Sequence, residues 1–174
     1  MKTSPLRLDD AFICEIELRS SEQGTSSSVK HSDVRVDAQP TYSRFINDPW
    51  KWKVELDVSF GGSEESPVPY EGRIACRGYF TLLDESMPEE KQCKVVAVNS
   101  ASILYATARE AVASLTGRGE YGMLLLPSVS FIDHAIAAPD DGLPKAEARE
   151  VESVEDHEPL GLEDQEPEEE SDPS

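Results

Sequence analysis

The chain has 174 residues, with 16 Lys and Arg against 35 Asp and Glu, a formal charge of −19. That balance opposes nonspecific binding to nucleic acid or to an anionic membrane, because both need clustered cations. Apolar runs such as 123–126 reach only four residues, far short of the ~20 that a membrane-spanning helix requires, so no stable membrane insertion is expected.

The charge is unevenly spread. Residues 140–174 hold 15 acids and two bases, a net of −13, whereas residues 1–139 hold 20 acids and 14 bases, a net of −6. No aromatic residue follows Phe131. A segment this charged and this poor in apolar groups cannot offset its chain entropy by burial, so 140–174 is expected to be a disordered acidic tail behind one domain at 1–139. Cys14, Cys76 and Cys93 are odd in number and widely spaced with no C-x-x-C, which argues against a disulfide framework or a zinc ribbon and for a reducing, cytoplasmic setting. The opening ten residues place charges where a secretory signal has its apolar stretch.

In chain order, 12–18 alternates with period two and places Phe12, Cys14, Ile16 and Leu18 on one strand face. Residues 20–28 read as a flexible Ser-rich loop, and 34–36 as a short, weak extended piece. The clearest strand is 50–60, with Trp50, Trp52, Val54, Leu56, Val58 and Phe60 inward and charged residues between them. Glycines and Pro67 break it as a turn. Residues 73–83 and 92–98 complete the set of strand patterns, and the short connections require antiparallel pairing.

The period then becomes helical. Asn99 and Ser100 suit an N-cap, Ile103, Leu104, Ala108, Ala111, Val112 and Leu115 recur at helical spacing, and Gly117 and Gly119 supply a stop. The opposite face, with Ala106, Glu110, Ala113 and Ser114, consists largely of small residues. Such a face is either solvated or packed against a second copy of the helix. Pro127 excludes a helix interior, so 121–131 is an extended apolar segment, and 132–138 fits two helical turns.

Catalytic and metal-binding patterns are not evident. His31, His134 and His157 have no ligand-spaced Cys or His nearby, the cysteines fall in strand patterns where small buried hydrophobes are expected, and no nucleophile elbow or phosphate-binding glycine loop occurs. No cofactor, no metal and no enzymatic activity are therefore expected. The apolar residues exceed what one helix can cover, and such an excess marks an oligomer contact or a binding groove.

The run from Asn99 to Phe131 resembles the SecB family of protein-export chaperones. Ile103-Leu104-Tyr105, Ala108-Arg109-Glu110, Ser114, Arg118-Gly119, Leu124, Leu126 and Phe131 fall in register with that family's helix-and-loop block, and the strand following Pro49 is similar to its D-W-x-P segment. The similarity covers about 8–132. It departs at Tyr105-Ala106-Thr107, where the family has F-P-Y, in the shortened second helix, and in the long acidic tail.

The resemblance implies an α+β fold: a four-stranded antiparallel sheet with one long helix and a short C-terminal helix on one side. It further implies a homotetramer, a dimer of dimers joined through the small-residue face of the helix. The function it implies is an ATP-independent holdase that binds unfolded preproteins in an aromatic-lined groove and delivers them to the translocase motor ATPase. Trp50, Trp52, Tyr121, Leu124, Leu126 and Phe131 are the groove candidates. Glu15 and Glu17 correspond in position to the acidic motor contact. The alternative is a SecB-like adaptor or antitoxin-specific chaperone with one dedicated partner.

Overall fold

A computed structural model describes residues 4–20, 33–63 and 65–132. Four strands, β1 (Leu6–Ser20), β2 (Arg35–Arg44), β3 (Lys51–Gly61) and β4 (Tyr70–Leu82), precede one helix, α1 (Glu89–Thr116). The strands form one antiparallel sheet in the order β1-β4-β3-β2. The acidic tail, the helical turns expected after Ile132, most of the Ser-rich loop and all three histidines lie outside the described residues. No described helix is long and apolar enough to cross a membrane.

The two central strands follow the sequence pattern closely. Trp52, Val54, Leu56, Val58 and Phe60 of β3, with Ile74, Cys76, Phe80 and Leu82 of β4, are buried on one face. Each such side chain contributes roughly 1.5–3 kcal/mol when fully buried. The helix α1 runs along that face over 28 residues, about 42 Å at 1.5 Å per residue. Leu104 settles at Gly78, where a Cβ would come within 2.9 Å of the leucine and 2.6 Å of the Phe80 ring.

Three elements depart from the expected pattern. Residues 92–98 are the first turns of α1, not a strand. Gln92, Val96, Ala97, Ser100 and Ala101 are buried at helical spacing; packing on the sheet overrides the modest per-residue preference of valine against helix. Pro88 and the acids Glu89 and Glu90 start the helix ten residues before Asn99, consistent with the favourable field at a helix N-terminus.

The fourth strand is instead β2, of which only the beginning shows as a clean alternation. Pro40 sits within it opposite Leu56, a position open to proline because β2 is an edge strand and need not donate outward. In β1, register shifts between Leu8 and Asp10 and between Ile13 and Glu15 break the alternation. Phe12 pairs with Arg77 on the far face of the sheet, Ile16 and Leu18 pair with Ile74 and Gly72 on the helix side, and Cys14 is exposed at the second bulge. Bulges reverse the facing of every residue beyond them, so Phe12 cannot share a face with Ile16 and Leu18.

Arg44 fastens the end of β2 to its surroundings. Its Nε donates to the Pro49 carbonyl at 2.6 Å, one terminal nitrogen meets Glu89 at 2.8 Å, and its guanidinium lies 5.4 Å from the centre of the Trp52 ring. Gln92, buried in the first turns of α1, donates to the Met87 carbonyl at 2.6 Å. Leu104→Ala should cost about 2–5 kcal/mol, because the void between Gly78 and the helix cannot collapse fully. Urea denaturation of the two proteins measures that difference.

Candidate functional site

Beyond Thr116 the chain turns and lies back along α1 as an extended strap, residues 121–131, held by hydrogen bonds to the helix and to β4. The Tyr70 hydroxyl accepts from the Tyr121 amide at 3.0 Å and donates to the Thr116 carbonyl at 3.4 Å. The buried Thr116 hydroxyl donates to the Val112 carbonyl at 2.7 Å and accepts the Leu124 amide at 2.8 Å. Further along, Arg109 Nε donates to the Leu126 carbonyl at 2.9 Å and the Tyr105 hydroxyl to the Pro127 carbonyl at 2.6 Å. These bonds satisfy polar groups that an irregular segment would otherwise leave unpaired against an apolar layer.

Over 123–126 the extended strap alternates, and the inward parity changes beyond Pro127. Leu124, Leu126 and Phe131 point into the core, and Phe131 meets the Tyr105 ring edge-on at 5.9 Å. Met123 and Leu125 point outward, 62% and 40% exposed, and Ile132 follows at 57%. Leu115 is exposed on the last turn of the helix that carries the strap.

The expected groove residues are accordingly divided. Trp52, Leu124, Leu126 and Phe131 are interior: the leucines through the alternation of 123–126, Phe131 through its seat against Tyr105, and Trp52 through the closure of the helix over β3. Trp50 and Tyr121 are half-buried, at the β2–β3 turn and at the start of the strap respectively. The outward set Met123, Leu125 and Ile132 was missed by the sequence reading, although an extended Met-Leu-Leu-Leu run must send alternate side chains to opposite sides.

On the outer face of α1, Ala106, Glu110 and Ser114 are exposed and Ala113 is half-buried. On the opposite face of the sheet, Glu15 pairs with Arg73 at 3.0 Å, and Arg73 also binds Asp57. Glu55 binds Arg77 at 2.8 Å and Lys53 at 3.2 Å. This ladder balances the charge beside Glu15, while Glu17 remains exposed.

Burial opposes ionisation of Glu55, but the hydrogen bonds from Arg77 and Lys53 outweigh it and hold its carboxyl below the usual range. A depressed carboxylate stabilises the fold above its unfolded-state pKa, and that stability is lost as pH falls through the folded-state value. Glu55→Gln should therefore lower stability at pH 7 by no more than about 1 kcal/mol, with the difference shrinking as the pH falls below the usual carboxylate range. Burial raises Tyr42 to about 12, and burial together with the nearby Cys14 raises Cys76 to about 11, so the buried Cys76 thiol is not a nucleophile at neutral pH. Among the described residues no group of His, Cys, Asp or Glu is arranged to hold a metal ion.

No protein-family model matches the chain, and no curated protein matches it. Among solved structures it is similar to the Mycobacterium tuberculosis Rv1957 SecB-like chaperone, determined in complex with a ChAD peptide from the Rv1956 HigA1 antitoxin. The TM-score is 0.56 at 16% identity, over 72% of this chain and 90% of that one. A protein of unknown function from Streptococcus agalactiae matches at TM-score 0.41 and 8% identity, over 71% of this chain and 97% of that one. The chain has a SecB-like α+β fold.

Thr116→Val deprives the Leu124 amide of its acceptor, at a cost of about 1–3 kcal/mol. Amide exchange at Leu124 should accelerate more than exchange in β3, which hydrogen-exchange mass spectrometry or NMR measures.

Proposed function

We propose that this protein is an ATP-independent chaperone that holds unfolded polypeptides against the outward side of the strap. The observation that carries this reading is the exposure of Met123, Leu125 and Ile132 on a segment whose backbone is pinned to α1 and β4. Unfolded chains offer apolar side chains in no fixed order, so a receptor for them works by burying area. Methionine and leucine adapt to varied partners at little cost. Half-buried Tyr121 lies at the strap's start, and the likeness to Rv1957, a chaperone solved with a bound peptide, supports the same assignment.

In this reading, copies associate as a homotetramer through the face of α1 carrying Ala106, Glu110, Ala113 and Ser114. Clients are preproteins passed to a translocase motor that contacts β1 near Glu15 and Glu17, and the protein acts in the cytoplasm without cofactor or catalysis. A second reading, a chaperone dedicated to one antitoxin-like partner, is favoured by the peptide bound to Rv1957, which comes from an antitoxin.

Light scattering of several unrelated proteins diluted from denaturant separates these readings. The full chain should suppress aggregation of most of them, and Met123→Ser with Leu125→Ser should weaken suppression severalfold while leaving the thermal melt within a few degrees. Protection of a single client refutes the general holdase and supports the dedicated one. No protection of any client refutes both.

A further inference from the structure

The described residues end at Ile132, on the strap itself, with residues 133–174 still to follow. No residue of 121–132 is charged, yet an arginine stands near each end of the outward pair Met123 and Leu125. Arg109 Nε donates to the Leu126 carbonyl, beside Leu125. A Cβ placed on Gly117 would lie 3.8 Å from that of Met123, which sets Met123 against the turn that carries Arg118. Arg118 is exposed and Arg109 half-buried. Neither forms an ion pair among the described residues, whether with the neighbouring Glu110 and Glu120 or with any other acid. The outward surface therefore reads cation, methionine, leucine, cation.

The tail holds a matching pattern. The large aliphatic residues of 140–174 are Leu143, Val151, Val154, Leu160 and Leu162. Among them only Leu160 and Leu162 are two apart, the spacing that puts both on one side of an extended backbone, as with Met123 and Leu125. Glu158 precedes that pair and Glu163 follows it. With the tail a coil, as its composition predicts, the 28 residues from Ile132 to Leu160 have an r.m.s. span of about 30 Å. The strap from Met123 to Ile132 is itself about 30 Å long at ~3.3 Å per residue, so Leu160 reaches Met123 without strain. Such a tether holds the segment at roughly millimolar effective concentration, enough to populate a contact too weak to form between separate molecules.

We infer that residues 158–164 of the chain's own tail dock on the outward side of the strap, with Leu160 and Leu162 against Met123 and Leu125 and the flanking carboxylates beside Arg118 and Arg109. Burial of the two leucines supplies the attraction, and their spacing selects this segment over the valines at 151 and 154. Clients must then displace the tail before they bind. That consequence rests on the strap being the client surface, as proposed above; the docking itself does not.

Methyl NMR of the full chain with isotope-labelled methionine methyls tests this, with Met123 as reporter and buried Met87 as internal control. Leu160→Ser with Leu162→Ser should move the Met123 methyl resonance and leave Met87 in place, whereas Val151→Ser with Val154→Ser should move neither. Glu158→Gln with Glu163→Gln should produce part of the Met123 change. A free peptide of residues 156–166 should return Met123 toward its original position in the double-leucine variant at about millimolar concentration. An unmoved Met123 methyl in the double-leucine variant overturns the docking, and an equal change in the valine variant overturns the choice of segment. A difference that disappears on dilution places the tail on another copy and also overturns it. Aggregation suppression is read separately, and the double-leucine variant should suppress severalfold better than the natural chain. If Met123 moves but no form protects any client, the docking stands and only the holdase reading falls.

Discussion

The structure depends on one contact surface, the long side of α1 against the inner face of β3 and β4. A four-stranded sheet cannot stay folded with one apolar face in water, and among the described residues one helix and one strap cover it. Leu104 reaches the backbone at Gly78 because no side chain intervenes, and Phe80 fills the space beside it. From that seat the helix extends to Gln92 and Arg44 at one end and to Thr116 and Tyr70 at the other. Both ends are tied by hydrogen bonds whose partners are buried or half-buried, where an unmade bond is most costly.

The strap follows from the helix. It has no ladder of its own, so each of its buried polar groups needs a partner from elsewhere, and Thr116, Arg109, Tyr105 and Tyr70 provide them. The same pinning that makes the segment structural also presents Met123 and Leu125 to solvent in a fixed order. Inward leucines hold the strap down, while the side chains of Met123 and Leu125 face outward. A surface built this way is ordered before any partner arrives, which lowers the entropy lost on binding.

The two faces of the sheet are chemically unlike. On the helix side burial dominates. On the far side alternating charges bridge β1, β4 and β3, with Arg73 shared between Glu15 and Asp57, so a strand that looks acidic in sequence is balanced by its neighbours across the sheet. At the other end of that face the charges give way to the rings of Phe12, Tyr79 and Phe45. The two bulges of β1 create this asymmetry, because without them Phe12 would face the helix with Ile16.

Strands β3 and β4, their antiparallel pairing, the later two-thirds of α1 and the extended nature of 121–131 are all legible in the sequence, because each is written in local periodicity: period two under Trp52 to Phe60, period near 3.6 under Leu104 to Val112, and Pro127 barring a helix. The valines at 95, 96 and 98 misread as strand, since their side-chain branching favours extended chain and only contact with the sheet decides for helix. Strand β2 hides behind Pro40, which is admissible only at an edge, and no stretch of sequence announces where an edge lies. The bulges of β1 are equally silent, and with them which face Phe12 occupies.

The division at the candidate site has the same origin. Residue types alone single out Leu124, Leu126 and Phe131 beside Met123 and Leu125 as apolar, but burial is a property of where the chain is pinned, and Thr116 and Arg109 set that from other parts of the molecule. Sequence by itself determined composition, charge, the central strands and the helix core, because those are near-neighbour patterns. Tertiary structure alone decided which leucines are interior and which aromatic rings meet, because each of those depends on residues distant in the chain.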